Sequence, residues 1–264
     1  MSTLTTMALT IDYAGKVVLV TGGTKGVGRG IAARFDDAGA TVVVCARKPV
    51  DDLPRAWHFL TADVRDAEAA TAMVDAAFAL EGRLDVLVNN AGGSPPLDTA
   101  SAGARVTERV VQLNLLASMS CSQAANAHMQ RQAAGGAIVN ISSVTAARPA
   151  PTAAAYGAAK AGLENYTRTT ALEWAPRVRV NAVEAGMVRT ELSALFYGDE
   201  VSIAAVEATI PLGRLAAPSE VGDVCVWLAS PLAAYVSGAI IAAHGGGEAP
   251  PFLAAASPDS GRSG

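Results

Sequence analysis

The stretch Lys16–Gly28, KVVLVTGGTKGVG, constrains this chain more than any other. Val17 to Thr21 form an unbroken apolar run closed by a threonine, which predicts a strand buried on both faces. Gly22, Gly26 and Gly28 follow as a tight turn, and GRGIAARFDDAG then reads as an amphipathic helix. Strand, glycine turn and helix in that order make an anion site. Glycines let backbone N–H groups approach a pyrophosphate, and the helix N-terminus adds partial positive charge. Glycines also mark ordinary turns, so it is the strand before and the helix after that carry the reading toward nucleotide binding.

The rest of the chain repeats the alternation. Apolar runs at Ala40–Ala46, Trp57–Thr61, Leu84–Val88, Ala137–Ile141, Arg179–Val183 and Gly238–Ala243 predict further strands. Between them lie helical stretches. One is capped by Asp66 and closed by Gly82, one runs from Arg105 to Gln132, one from Ala153 to Trp174, and one is opened by Pro218. The segment Glu184–Ala217 is less regular and reads as a substrate lid. Alternating strands and helices predict an α/β fold, a single Rossmann-like doubly wound parallel sheet flanked by helices. The expected organisation is one dinucleotide-binding and catalytic domain over residues 1–264. Residues 1–14 read as an N-terminal extension. Residues 248–264, rich in Pro, Ser, Gly and Ala, read as a flexible tail that is mobile or docks on a neighbouring subunit.

Composition excludes several classes of function. A net charge of −4 gives no basic field for nucleic acid. No apolar run approaches the roughly 18 residues of a membrane span. The first residues lack a charged region followed by an apolar block, so no secretory signal is expected. Cys45, Cys121 and Cys225 are odd in number, far apart and in apolar contexts, as reduced thiols of a cytoplasmic protein would be. His58, His128 and His244 show no metal-ligand spacing, and no metal is expected.

The chemistry points to one helix. YGAAK places Tyr156 and Lys160 four residues apart, on one helix face. A free tyrosine, with a pKa of about 10, is a poor acid–base group at neutral pH. A lysine ammonium beside it favours the phenolate and lowers that value. Ser143 lies 13 residues upstream at the end of a strand, where α/β sites gather. Its hydroxyl is placed to hold a carbonyl oxygen while Tyr156 gives it a proton. Each residue alone has a bland alternative, a solvated Tyr–Lys pair or an ordinary turn serine.

Taken together, TGGTKGVG, Asp63, NNAG, Asn114, Ser143 and YGAAK occur in the order and at the spacings of the short-chain dehydrogenase/reductase family. The resemblance runs from about Lys16 to Gly246. It implies a catalytic tetrad of Asn114, Ser143, Tyr156 and Lys160, with a hydride passing between a nicotinamide and the substrate carbon. Lys160 would also grip the nicotinamide ribose, and Asn114 would loosen its helix to hold a water. The turn residues Gly22, Thr24, Lys25, Gly26, Val27 and Gly28 would take the pyrophosphate side. Asp63 and Val64 would meet the adenine, and Asn90, Ala91 and Gly92 would line the cofactor. Val188 and Thr190 would hold the carboxamide. The family also implies a homotetramer or homodimer. Small residues on the two long helices (Ala117, Ser118, Ser120, Ala158, Ala159, Ala161 and Gly162) allow close approach of a second copy or packing within one subunit. Two positions depart from the family pattern. Ala185-Gly186 stands where Pro-Gly is usual, implying a looser loop, and His244 stands where an aspartate is common, which puts C-terminal packing in question.

The activity so implied is an NAD(P)(H)-dependent interconversion of a secondary alcohol and a ketone. Reduction of 3-oxoacyl thioesters is the enzymatic alternative, and a cofactor-binding sensor or scaffold the non-enzymatic one. A reader of NAD needs a carboxylate about 20 residues beyond the glycine turn. That place is Ala46, 18 residues after Gly28, with Arg47 next and Lys25 inside the turn. Two cations suit a 2′-phosphate, so NADP(H) is expected over NAD(H). The competing possibility is that Asp51 or Asp52 folds back to the ribose. Leu192, Leu195, Phe196, Tyr197, Ile203 and Ile210 make the lid apolar, as do Pro95, Pro96 and Leu97 beside the site. This fits a bulky apolar hydroxy or keto substrate, and equally a lid that simply packs.

Overall fold

The computed structural model describes residues 10–248. The first half contains β1 (Val17–Thr21), α1 (Gly26–Asp37), β2 (Thr41–Ala46), β3 (His58–Thr61), α2 (Ala67–Glu81) and β4 (Val86–Asn89). Then come α3 (Ala104–Val111), α4 (Ala117–Met129), β5 (Gly136–Ser143), α5 (Ala154–Glu173) and β6 (Val178–Ala185). The short helices α6 (Ser193–Tyr197) and α7 (Glu200–Glu207) occupy the expected lid, before α8 (Pro218–Ala229) and β7 (Ile240–Ala243). Every strand pair is parallel, in the order β3-β2-β1-β4-β5-β6-β7. The order reverses between β1 and β4, and that reversal opens a crevice at the carboxyl ends of the strands.

The apolar runs earn their place by being buried twice. In β1, Val18 and Val20 pack with Ile31 and Phe35 of α1 and with Val221 and Cys225 of α8. Val17 and Leu19 point into the opposite layer, with Val74 of α2 and Cys121 of α4. Tyr13, within the expected N-terminal extension, belongs to the first layer. Its ring meets Phe35 edge-on at 5.0 Å and its hydroxyl donates to Val226 O at 2.7 Å. The three cysteines are free and buried.

Local signals behave as expected at α2. Asp66 accepts from the N–H groups of Glu68 and Ala69, and Gly82 closes the helix at φ +65. The long helix read between Arg105 and Gln132 is interrupted instead. Residues Gln112–Leu116 widen into a π turn between α3 and α4. Ser142 and Ser143 lie inside β5 rather than beyond it, paired with Glu184 and Ala185 of β6.

A buried polar chain fixes the two helices that face the crevice. Asn89 of β4 donates to Ser122 Oγ of α4 and to Asn140 Oδ1 of β5, each at 2.8 Å. Asn140 in turn donates to Thr167 Oγ1 of α5 at 2.8 Å. Asn140→Ala removes two of these bonds and leaves a cavity, so urea denaturation is expected to show a loss of about 2–4 kcal/mol. An unchanged midpoint would mean the helices are held by apolar packing alone.

Candidate active site

The glycine turn and the end of β4 close on each other. Thr21 Oγ1 accepts the N–H groups of Asn90 and Ala91, both at 3.0 Å, and Asn90 Nδ2 donates to Thr21 O and Gly22 O at 3.0 and 3.3 Å. A Cβ on Gly28 would lie 2.3 Å from both Asn90 Nδ2 and Gly22 O, so only glycine fits. Gly22 turns at φ +64 and donates its N–H to Cys45 O. Thr24 is buried beneath the turn, and Val27 packs against the first apolar layer.

Among the described residues α1 begins at Gly26 with no capping side chain and no acidic residue in its first turn. Its first N–H groups and its positive pole are therefore offered outward, which suits a pyrophosphate. Beside Gly26, where a Cβ would be, stand Thr190 Cγ2 and the Glu191 carboxylate, at 3.7–3.9 Å. Nothing local in the sequence marks Glu191 as a neighbour of the glycine turn, because only the folded lid brings it there. Thr190 is fixed by Ser193, whose hydroxyl accepts its N–H at 2.8 Å, and Val188 bridges to Ala216.

On the other side of β1, Lys25 and Arg47 are exposed and have no ion-pair partner among the described residues. Asp52 is already engaged. Its carboxylate meets Arg29 Nη1 at 2.5 Å and its carbonyl meets Nη2 at 2.6 Å. Asp63 turns its carboxylate onto Arg65, with oxygens at 2.5 and 2.9 Å, and that guanidinium holds its pKa below the ordinary carboxylate value. Val64 is buried in the layer that also receives Ala91.

The four residues of the implied tetrad converge across the crevice. Lys160 is only 3% exposed, its Nζ donates to Ile141 O at 2.7 Å, and it lies 5.6 Å from the Tyr156 ring centre. A Cβ on Gly92 would lie 2.7 Å from Asn114 Oδ1 and 3.4 Å from Lys160 Nζ, so this glycine separates the two. Asn114 sits in the π turn with its amide fully bonded. It donates to Val110 O and Gly93 O, both at 2.9 Å, and accepts the Gly93 N–H at 2.8 Å. The helix is loosened here as the family resemblance implies, with the side chain tied to backbone.

The electrostatics correct one expectation. Tyr156 is shifted up, not down: burial outweighs the neighbouring Ser143 hydroxyl, which favours the phenolate, and Tyr197 adds to the rise. Lys160 is not among the causes. Burial instead pushes the lysine itself down to about 8. Ala185 also differs from expectation. It continues β6 as a buried residue, and Gly186 donates to Ala243 O at 3.0 Å, so the strand runs on through a position expected to loosen. His244 packs its Cα against Gly186 and comes within 3.9 Å of Glu184.

The lid divides. Ile203 and Ile210 are buried with Leu215, whereas Leu192, Leu195 and Phe196 are exposed. A cleft of about 460 Å³ between α8, Met187, Ile210 and His244 holds none of the tetrad. A smaller cavity of about 130 Å³ lies between Ser94, Leu97 and Thr152–Ala155, at the start of the Tyr156 helix.

A buried ammonium opposes folding until it is matched by a ligand or a charge. With the folded lysine at about 8 against an ordinary 10.5, the penalty is full below pH 8 and disappears above about 10.5. Lys160→Met is therefore expected to stabilise the cofactor-free protein at pH 7, by up to about 3 kcal/mol. The gain should shrink to nothing by pH 10.5 in paired urea titrations, and a gain independent of pH would point to packing instead.

The sequence profile of the family described as enoyl-(acyl carrier protein) reductase matches residues 22–248. The chain is 36% identical over 250 residues to 3beta-hydroxysteroid dehydrogenase 1 of Eggerthella lenta, covering 89% of this chain and 94% of that protein. It is 38% identical over 249 residues to cis-4-hydroxycyclohexanecarboxylate dehydrogenase of Sinomonas cyclohexanicum, covering 89% and 97%. Among solved structures, the Pseudomonas aeruginosa RhlG/NADP active-site complex matches with a TM-score of 0.84 at 32% identity, over 91% of this chain and 99% of that one. These relatives give no support to a sensor or scaffold without chemistry. A parallel sheet that reverses beside an uncapped glycine turn, and relatives of this kind along almost the whole chain, show that the protein belongs to the short-chain dehydrogenase/reductase family of NAD(P)-dependent alcohol and ketone oxidoreductases.

Proposed function

We propose that Tyr156 is the acid–base group that interconverts a secondary alcohol and a ketone, with Ser143 holding the reacting oxygen. The carrying observation is that the buried Lys160, its Nζ on Ile141 O, lies 5.6 Å from the Tyr156 ring centre, with the Ser143 hydroxyl near enough to the phenol to favour its ionised form. When bound, the nicotinamide accepts or supplies the hydride. In reduction Tyr156 gives its proton to the substrate oxygen, and its raised pKa keeps that proton available. In oxidation the ionised phenol takes the proton of the alcohol. Lys160 would hold the nicotinamide ribose. Asn114 would position a water through its opened turn, and its side chain braces Gly93. The first turn of α1 would hold the pyrophosphate, Asn90, Ala91 and Gly92 the cofactor's inner edge, Val188 and Thr190 the carboxamide, and Asp63 and Val64 the adenine. Tyr156→Phe keeps the ring and deletes the proton, so turnover is expected to fall at least about 10²-fold with cofactor still bound. A folded variant of near-normal rate would remove Tyr156 from the role.

Cofactor preference follows from charge. Lys25 in the glycine turn and Arg47 at the end of β2 have no ion-pair partner among the described residues, Ala46 offers no acceptor, and Asp52 is held by Arg29. A 2′-phosphate gains from both cations, whereas Ala46 offers a bare ribose no carboxylate at the end of β2. The unmodified enzyme is expected to show higher kcat/KM with NADP(H), and Ala46→Asp with Arg47→Gln to move the preference toward NAD(H). Higher kcat/KM with NAD(H) before any substitution overturns the charge reading.

A thioester reading draws support from the family description, and activity on carrier-linked 3-oxoacyl groups rather than free cyclic ketones would select it. A bulky apolar substrate draws support from exposed Leu192, Leu195 and Phe196. Ala158, Ala161 and Leu116 are exposed while Ala117, Ser118 and Ala159 are buried within the subunit, so the outward set favours a homotetramer or homodimer. Free buried thiols fit a cytoplasmic setting. No helix among the described residues is long and apolar enough to cross a membrane.

A further inference from the structure

Residues 144–155 join Ser143 to Tyr156 and carry a single charge, Arg148. The residue leaves the short turn after β5 with its N–H on Val144 O at 3.1 Å, and its side chain is 40% exposed. Nη1 donates to Pro149 O at 3.3 Å, and Nη2 is paired with the Glu248 carboxylate. Glu248 comes from the far end of the described chain. It follows Gly245, Gly246 and Gly247, three consecutive residues at positive φ, so no regular element of its own fixes its carboxylate.

This pair lies at the carboxyl-end edge of the sheet, where the crevice opens: Arg148 follows the end of β5 at Ser143 by five residues, and Glu248 follows the end of β7 at Ala243 by five. Tyr197, at the end of α6, lies within electrostatic reach of Tyr156 and also of Arg148 and Glu248. The connection is braced from the opposite wall, where Thr152 O accepts the Leu97 N–H at 2.8 Å. Thr152 adopts φ +66, a conformation that a β-branched residue takes only when its surroundings require it. The lid's own cations are differently placed. Arg189 is gripped by both oxygens of Glu200, and Arg214 by both oxygens of Glu220, each within its own segment.

We propose that Arg148 determines specificity by receiving a carboxylate of the substrate, remote from the reacting carbon, and that Glu248 holds the guanidinium until the substrate displaces it. The inference rests on the assignment of Tyr156 and Ser143 to the reacting end. A guanidinium presents a planar fork matched to a carboxylate, and a solvent-reached ion pair is weak enough for one carboxylate to replace another. The substrate class is then a secondary hydroxy acid or the matching keto acid.

The test uses pairs of a hydroxy acid and its methyl ester, from 3-hydroxybutyrate to 4-hydroxycyclohexanecarboxylate, with the full chain and either nicotinamide cofactor. The acid-to-ester ratio of kcat/KM is expected to favour the acid for at least one pair. Arg148→Gln should lower that ratio about 10- to 100-fold, and Glu248→Gln should raise it by lowering KM for the acid. A merely structural Arg148 would lower acid and ester together, leaving the ratio unmoved, and that result overturns the proposal. Cyclohexanecarboxylate, which has no hydroxyl, separates the two readings by calorimetry. Binding lost in Arg148→Gln without turnover of any pair would retain the carboxylate site and reject the assigned reaction. Turnover with neither a ratio nor a binding change at Arg148 would do the reverse.

Discussion

The closure of the glycine turn against the end of β4 is the contact on which the site depends. One threonine hydroxyl, at Thr21, takes two backbone N–H groups, and one amide, at Asn90, returns two bonds to the turn. The approach is so close that Gly28 has no room for a side chain. Since β1 and β4 are neighbours only because the strand order reverses there, this small knot sits at the one crevice a parallel sheet leaves open. It sets the direction of α1, whose uncapped N-terminus faces the crevice, and it sets Gly92 between Asn114 and Lys160.

A second constraint is burial. The same desolvation raises Tyr156 and lowers Lys160, because each is pushed toward its neutral form. The result is a phenol that keeps its proton and a lysine that changes charge near pH 8, side by side at the base of the candidate substrate space. Such a pair is tuned by whatever binds above it. Polar groups of a cofactor or substrate restore the solvation that folding withdrew, so the cofactor-free protein carries the electrostatic penalty and the occupied one is relieved of it. The polar chain from Asn89 through Asn140 to Thr167 keeps the supporting helices in place while this happens.

The lid shows how one apolar composition serves two purposes. Ile203 and Ile210 face inward with Leu215 and anchor the segment, and Leu192, Leu195 and Phe196 are left exposed. Their hydrophobicity alone does not separate these roles, because α6 and α7 are too short to impose a clear face. Glu191 is a similar case. Its neighbours in the chain do not mark it, and folding carries it to the glycine turn.

The alternation of strands and helices, the glycine turn and the Tyr156–Lys160 spacing were all legible in the sequence, because each is written in local periodicity or in contiguous residues. Strand ends moved by at most two residues, and the expected long helix broke at Asn114, where a side chain reaches Val110 O and a distant loop at once. What only the tertiary structure decided were quantities that depend on neighbours remote in the chain. The direction of the Tyr156 shift, the engagement of Asp52 by Arg29, the turning of Asp63 onto Arg65 and the pairing of Arg148 with Glu248 belong to this class. Spacing states which groups share a face. Desolvation and competing partners, which set their charge and their freedom to bind, exist only once the layers have closed around them.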